Sequence, residues 1–591
     1  MDPRYPYESI TPSTSTRLLP GTQGSLRASP SRQSLRSESR YGESGLDSMN
    51  TSLAEKYSLS PDPSSWGADV SFNHPEDDDS LHNPNPKRDH RADKGGSVFT
   101  ARGLMNLGCI LFLATAILML FAGYPVLSYF LRTPLSTQGG FNLGGTNASG
   151  QVPDLSGNWG LIDIETPQEW HSYKDFRTNK DWQLVFSDEF NTDGRSFYPG
   201  DDPYWEAVDL HYWATNNLEW YDPKAITTKN GSLEITLSAE PNHGLDYTGG
   251  MMSTWNKFCF TGGLVLASVV LPGSNNILGL WPAIWQMGNL GRAGYGATLE
   301  GMWPYSYDSC DVGTVKNQTL SGLPIAATNT GVDDKTDFAL SYLPGQRLSR
   351  CTCQGESHPG PIHSDGTYVG RSAPEIDMFE AQISNFPTGD DPLTGQVSQS
   401  GQWAPFNEHY EWFNTTDNLV IANASASLAN TYTGGVFQQA SSVVTITITD
   451  QEAYELTGNN IPPMAFSTSL GSMALKEAWT LNQAGFAADT RVEIGPRPVP
   501  QEPMYLIMNL GMSFNFGTVD LQHITFPTKM KVDWIRVYQD PSNVNIGCDP
   551  PDFPTSDYIN TYMEAYTNPN LTTWVDDFNQ TFPKNSFLGE C

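Results

Sequence analysis

An uncharged apolar run divides this chain. "LMNLGCILFLATAILMLFAGYPVLSYFL", from Leu104 to Leu131, contains no Asp, Glu, Lys or Arg. A helix needs about 20 apolar residues to cross a bilayer, so the run is long enough to put the two flanks in different compartments. It starts too far from Met1 to be a cleavable signal peptide. Lys87, Arg88, Arg91, Lys94 and Arg102 precede it, against a lone Arg132 just after it. Basic residues stay on the cytosolic side, which predicts a type II signal anchor over 104–131 with everything downstream lumenal or extracellular.

The flanks differ in kind. Residues 1–103 are rich in Ser, Pro, Arg and Asp without hydrophobic periodicity, which predicts a disordered cytosolic tail. After the span, "STQGGFNLGGTNASGQ" reads as a spacer, within a linker placed at 132–165. Cys109 lies in the span, and the remaining cysteines, Cys259, Cys310, Cys351, Cys353, Cys548 and Cys591, all follow it. An even number on the oxidising side predicts disulfides, with the pairing left open. Asn-X-Ser/Thr sites at Asn147, Asn230, Asn317, Asn414, Asn423, Asn570 and Asn579 fit the same secretory location.

Downstream, short runs alternate between apolar and polar residues. "WQLVFSDEF" (182–190), "GSLEITLSA" (231–239), "GGLVLASVVLP" (262–272), "SVVTITITD" (442–450), "MYLIMNLGMS" (504–513) and "MKVDWIRVYQD" (530–540) are rich in β-branched and aromatic residues and bounded by Gly, Pro and Asn. Many strands and few helical patterns predict an all-β sandwich over 166–545. Residues 546–591 read as an extension in which "SDYINTYMEAYT" forms one short helix. A net charge of −32 excludes nucleic acid as a partner, because phosphates call for Lys and Arg.

Chemistry concentrates in "APEIDMFEAQ", which places Glu375, Asp377 and Glu380 within six residues. On a regular strand Glu380 would face away from the other two. One extra residue around Met378 and Phe379, a β-bulge, slips the alternation and brings all three to one face, with Ile376 toward the core. Clustered carboxylates repel one another and raise at least one pKa, so they contribute little to stability. They suit retaining glycosyl transfer: Glu375 as nucleophile, Glu380 as general acid/base and Asp377 supporting Glu375. An exposed acidic loop and a calcium site are the other uses of such a cluster. The apolar Ile376, Met378 and Phe379 speak against the loop, and the sequence calls for no metal and no cofactor.

"EIDMFE" resembles the bulged active-site strand of glycoside hydrolase family 16, Glu-X-Asp-X-X-Glu. "WQLVFSDEFN", "NNLEWYDPKAITTKNGSLEIT", "GGLVLASVVLPGSNNILGLWPAIWQMG" and "MKVDWIRVYQD" resemble its other blocks in order. The resemblance implies a β-jelly-roll sandwich (concanavalin A-like) whose acids line a concave, glucan-gripping face. It also implies Trp285, Trp403 and Trp281 as sugar platforms and Asn217 as a polar contact. "DLHYWATNNLEWY", "STWNKFCFTGG", "GMWPYSYDSCDVGT" and "SYLPGQRLSRCTCQGESHPG", with the tail and span, resemble a fungal membrane-anchored family associated with β-1,6-glucan synthesis. That family implies a role in cell-wall glucan building along the secretory pathway, in the endoplasmic reticulum, Golgi or plasma membrane. The expected partners are β-glucan chains or oligosaccharides, the membrane and other wall-synthesis proteins. A glucan-binding scaffold without turnover is the alternative. Relative to simple family 16 enzymes, an insertion at about 289–374 carries Cys310, Cys351 and Cys353, and is expected to roof or narrow the cleft.

Overall fold

The structure is a computed structural model. It describes residues 87, 99–124, 126, 160–175, 179–385, 393–425, 427–446 and 479–591. Most of the expected tail, most of the expected linker and Asn147 lie outside the described residues.

Within the apolar run, Ala101–Leu118 is an α-helix that continues as a π-helical turn over Met119–Gly123. Leu104–Gly123 runs for 20 residues without a charged side chain, and its large apolar side chains are exposed. At about 1.5 Å per residue this segment matches the hydrocarbon thickness of a bilayer.

The C-terminal unit is built on two sheets whose longer strands pair antiparallel. Its longer strands are β1 (Asp181–Asp188), β2 (Leu233–Leu237), β3 (Tyr247–Ser253), β4 (Leu264–Val270), β5 (Trp281–Gly288), β6 (Glu375–Ser384), β7 (Thr394–Trp403), β8 (Gln439–Ile446), β9 (Met504–Gly511) and β10 (Thr528–Gln539). In one sheet β10 pairs with β1, β2 and β4; in the other the order is β8-β7-β6-β5-β9-β3. Alternation explains the layering. Phe186, Ile235, Val532 and Ile535 of the first sheet meet Met252, Ile284, Phe379, Val397 and Met508 of the second in one fully buried cluster. The turn before β2 is set by Asn230 and Gly231, both at positive φ (54° and 75°), where Lys229 and Ser232 exchange backbone hydrogen bonds. Asn-Gly is the pair that tolerates this turn.

The insertion between β5 and β6 has a small core of its own. Tyr305, Tyr307, Val312, Leu340 and Leu343 pack with Ala404, Phe406 and Tyr410 beyond β7. The disulfides pair Cys310 with Cys351, Cys353 with Cys591 and Cys259 with Cys548. Just before β6, Arg371 makes a buried two-pronged contact with Glu502 (2.8 and 2.8 Å), and the Ser372 N–H donates to the same carboxylate (3.0 Å). The expected C-terminal helix is two pieces, α1 (Ser556–Thr561) and α2 (Met563–Thr567). The break falls at Tyr562, drawn edge-on to Trp574 at 4.7 Å, and the Thr561 hydroxyl bonds back to Asp557 O. Such back-bonding bends helices.

Candidate active site

The bulge lies where the acid spacing predicts it. Against β7, Asp377 pairs with Ser400 and Glu380 with Ser398, so Met378 and Phe379 together oppose Gln399. Against β5, Phe379 pairs with Ile284 and Asp377 with Trp285, which leaves Met378 as the extra residue. Phe379 and Ala381 enter the core, while Glu375, Asp377 and Glu380 line one cleft with Tyr212, Tyr221, Trp281, Trp285 and Asn509. The cleft encloses about 440 Å³, part of it open solvent. Ile376, expected toward the core, is half-buried and lies outside the main hydrophobic clusters; Phe379 and Met378 take that role.

Each acid has a distinct hydrogen-bond environment. Glu375 Oε2 accepts from the Trp303 indole N–H at 2.6 Å. Asp377 Oδ2 accepts from the Ser400 hydroxyl (2.6 Å) and the Gln402 amide (3.0 Å), and its carboxyl is hydrogen-bonded to Glu375. Glu380 Oε1 accepts from the Trp281 indole N–H at 3.0 Å, with the Ser398 hydroxyl 3.4 Å from Oε2. Burial, then the neighbouring Asp377, pushes Glu380 up to about 8. The same two causes hold Glu375 well above the carboxylate range, opposed by the Trp303 N–H. Burial also raises Asp377, opposed by its Ser400 and Gln402 bonds. A protonated Glu380 beside a hydrogen-bonded Glu375–Asp377 pair is an acid/base arrangement.

Trp285 is nearly covered and lines the cleft, its N–H given to Asn509 Oδ1 at 2.8 Å. Trp281 also lines the cleft, with one face stacked on Phe516 at 4.1 Å and 2°. Asn217 reaches the cleft but is 4 % exposed, its amide donating to Glu219 (2.7 Å) and the Tyr221 hydroxyl (3.0 Å). Beneath them Glu219 is fully buried and pushed up to about 7 by that burial.

Trp403 does not join this group. It stacks on Phe486 at 4.0 Å beside Trp412, donates its N–H to Ser441 Oγ (2.9 Å) and is 6 % exposed. Strand parity explains the correction. Ser398, Ser400 and Gln402 face the acids, so Trp403 turns to the opposite face and packs there.

The sequence reading missed Trp303, Tyr212, Tyr221 and Asn509. The alternation in "SQSGQ" was a usable sign for the β7 serines; Trp303, in an insertion without periodicity, offered none. Among the described residues no group of three or more His, Cys, Asp or Glu is arranged around a metal site. Of the sequons, Asn230, Asn414, Asn423, Asn570 and Asn579 are exposed and Asn317 is half-buried.

The profile of the family described as "Beta-glucan synthesis-associated protein SKN1/KRE6/Sbg1" matches residues 68–591. The chain is 38% identical over 600 residues to the beta-glucan synthesis-associated protein SKN1 of Candida albicans, covering 96% of this chain and 76% of that one. It is 40% identical over 535 residues to KRE6 of Saccharomyces cerevisiae, described in the same words, covering 87% and 69%. Among solved structures it is similar to the catalytic domain of an endo-1,3-beta-glucanase (laminarinase) from Thermotoga petrophila, at 18% identity and TM-score 0.30, covering 61% of this chain and 99% of that one.

Proposed function

The chain belongs to the beta-glucan synthesis-associated SKN1/KRE6/Sbg1 family, and on that premise we propose that it is a membrane-anchored retaining β-glucan hydrolase or transglycosylase of the secretory pathway, acting in β-1,6-glucan synthesis. The observation that carries this reading is the convergence of Glu375, Asp377 and Glu380 on one cleft face across the bulge.

Glu375, once ionised, attacks the anomeric carbon while protonated Glu380 gives its proton to the departing glycosidic oxygen, leaving a glycosyl ester on Glu375. Glu380, now a carboxylate, takes a proton from the acceptor as the acceptor oxygen attacks the same carbon and the ester breaks. Water as acceptor gives hydrolysis; a sugar hydroxyl gives transfer. Asp377 orients Glu375 through their shared hydrogen bond. The apolar segment 104–131 holds the site at the membrane, the glucan chain is the substrate, and other wall-synthesis proteins are its neighbours.

A binding-only reading draws on one observation: Glu375 is held well above the carboxylate range, and a protonated carboxyl is a poor nucleophile. Full-length protein incubated with β-1,3- and β-1,6-gluco-oligosaccharides separates the two. The enzyme reading expects new products, reduced at least about 100-fold by Glu375→Gln or Glu380→Gln. Bound oligosaccharide that stays unchanged, together with full rescue of a wall-defective null strain by Glu375→Gln, would sink it.

A further inference from the structure

Residues 546–591 are tied to the rest of the unit by two bridges, Cys548 to Cys259 and Cys591 to Cys353. Between the bridges the segment packs on a short stretch of the insertion, Gly296–Trp303. Leu571 O accepts the Ala297 N–H at 2.9 Å. The backbone N–H groups of Trp574 and Val575 both donate to Glu300 Oε2, at 2.5 and 3.2 Å. Phe582 lies so close to Gly301 that a Cβ there would sit 2.7 Å from its ring. The buried Arg347 guanidinium lies 3.7 Å from the Trp574 ring centre and donates to Ala297 O (2.9 Å) and Thr298 O (3.0 Å). The Arg347 backbone N–H closes the turn on Gly301 O at 2.7 Å.

Trp303 stands at the end of this stretch. Its backbone N–H donates to Leu299 O (2.9 Å), and it packs against the cluster that contains Met302 and Trp574. Its indole N–H is the one that reaches Glu375. We propose that residues 546–591 are a positioning element of the cleft: through Glu300, Arg347 and Trp574 they fix the Gly296–Trp303 stretch, and so aim the indole that orients Glu375. Its catalytic meaning rests on Glu375 being the nucleophile. A hydrogen bond to one carboxylate oxygen leaves the other free for the anomeric carbon, and it favours the ionised form that attack requires. The groups facing Glu375 are Asp377 and Glu380 on its own strand, with Tyr212 and Tyr505 from neighbouring elements. The Asp377 and Glu380 carboxyls oppose its ionisation, which leaves the Trp303 N–H to oppose them.

The test reads Glu375 directly rather than through turnover. Full-length protein in detergent is treated with a carbodiimide, which labels protonated carboxyls, and labelling of Glu375 is followed against pH by peptide mass spectrometry. Trp303→Phe should move the labelling midpoint up by about one unit. Glu300→Ala should move it the same way by a smaller amount, and Glu300→Gln by less again, while all three variants keep a cooperative thermal melt. A folded Glu300→Ala protein with the wild-type midpoint overturns the proposal. So does a Glu300→Gln protein that does not fold, because Glu300 then serves folding rather than the site. Glucan turnover is measured in parallel: shifted midpoints without wild-type turnover leave the positioning role standing and remove the nucleophile reading.

Discussion

At Glu380 burial ties the proposed acid role to folding. Its carboxyl is held protonated up to about 8, against an ordinary value of 4.5. Between those two values the folded chain keeps a proton that the unfolded chain releases. Stability is therefore fully present below the unfolded value and is lost as pH rises through about 8. Asp377 and Glu375 shift in the same direction and add to the slope. Glu380→Gln removes the group while leaving an oxygen for the Trp281 N–H and an amide that can donate to Ser398. Thermal melts across pH should show this variant more stable than wild type at about pH 8, by at least about 1 kcal/mol, with the gap closing near pH 5. A wild-type melting temperature that is flat over that range would mean the acids are solvated rather than buried together. The alkaline side of any activity profile should fall as Glu380 loses its proton, since the leaving oxygen then has no donor.

The bulge in β6 sets which deletions the site tolerates. Met378 has no partner in either flanking ladder, so removing it turns Glu-Ile-Asp-Met-Phe-Glu into a strictly alternating strand. Glu375, Asp377 and Glu380 then stay on the cleft face, and Phe379 stays in the core. The Met378 deletion should fold and retain product formation, at a cost of about 1–2 kcal/mol for the lost packing. Deleting Ile376 instead puts Glu375 and Asp377 on opposite faces and should abolish activity. Melts and product assays on the pair check this; equal loss in both would mean that the bulge itself is required. The same parity accounts for what could be read from the residues. The spacing of the acids implied the bulge before any coordinates, and the apolar alternation placed β1, β2, β4, β9 and β10 to within a few residues. Parity along β7 would also have excluded Trp403 had it been counted from the acids. Trp303 and the Arg371–Glu502 anchor were not legible. They depend on contacts across 72 and 131 residues of chain, and no local period records such contacts.

For the molecule as a whole, three features predict one orientation. The basic residues precede the apolar segment, and all six paired cysteines and seven of the eight sequons follow it, with Asn50 alone before it. Disulfides persist in oxidising compartments and are kept reduced in the cytosol. The bridge from Cys259 to Cys548 spans 289 residues, and that from Cys353 to Cys591 spans 238. Closing loops of that size removes about 2–5 kcal/mol of unfolded-state freedom each in the chain-entropy account. A cytosolic C-terminal unit would forgo that stabilisation, and with it the anchoring of residues 546–591. Sealed microsomes treated with protease should therefore lose only the residues before the span. The protected remainder should run as one fragment that drops in mass when N-glycans are enzymatically removed, and it should become digestible once detergent opens the vesicles. Neutral replacements at Lys87, Arg88, Arg91, Lys94 and Arg102 should weaken this bias and expose a share of the C-terminal unit to protease. That misoriented share should lack glycans on its C-terminal unit and react with thiol reagents at cysteines bridged in the wild-type orientation. Digestion of the wild-type C-terminal unit in sealed vesicles would reverse the topology, and would remove the compartment on which the bridges depend.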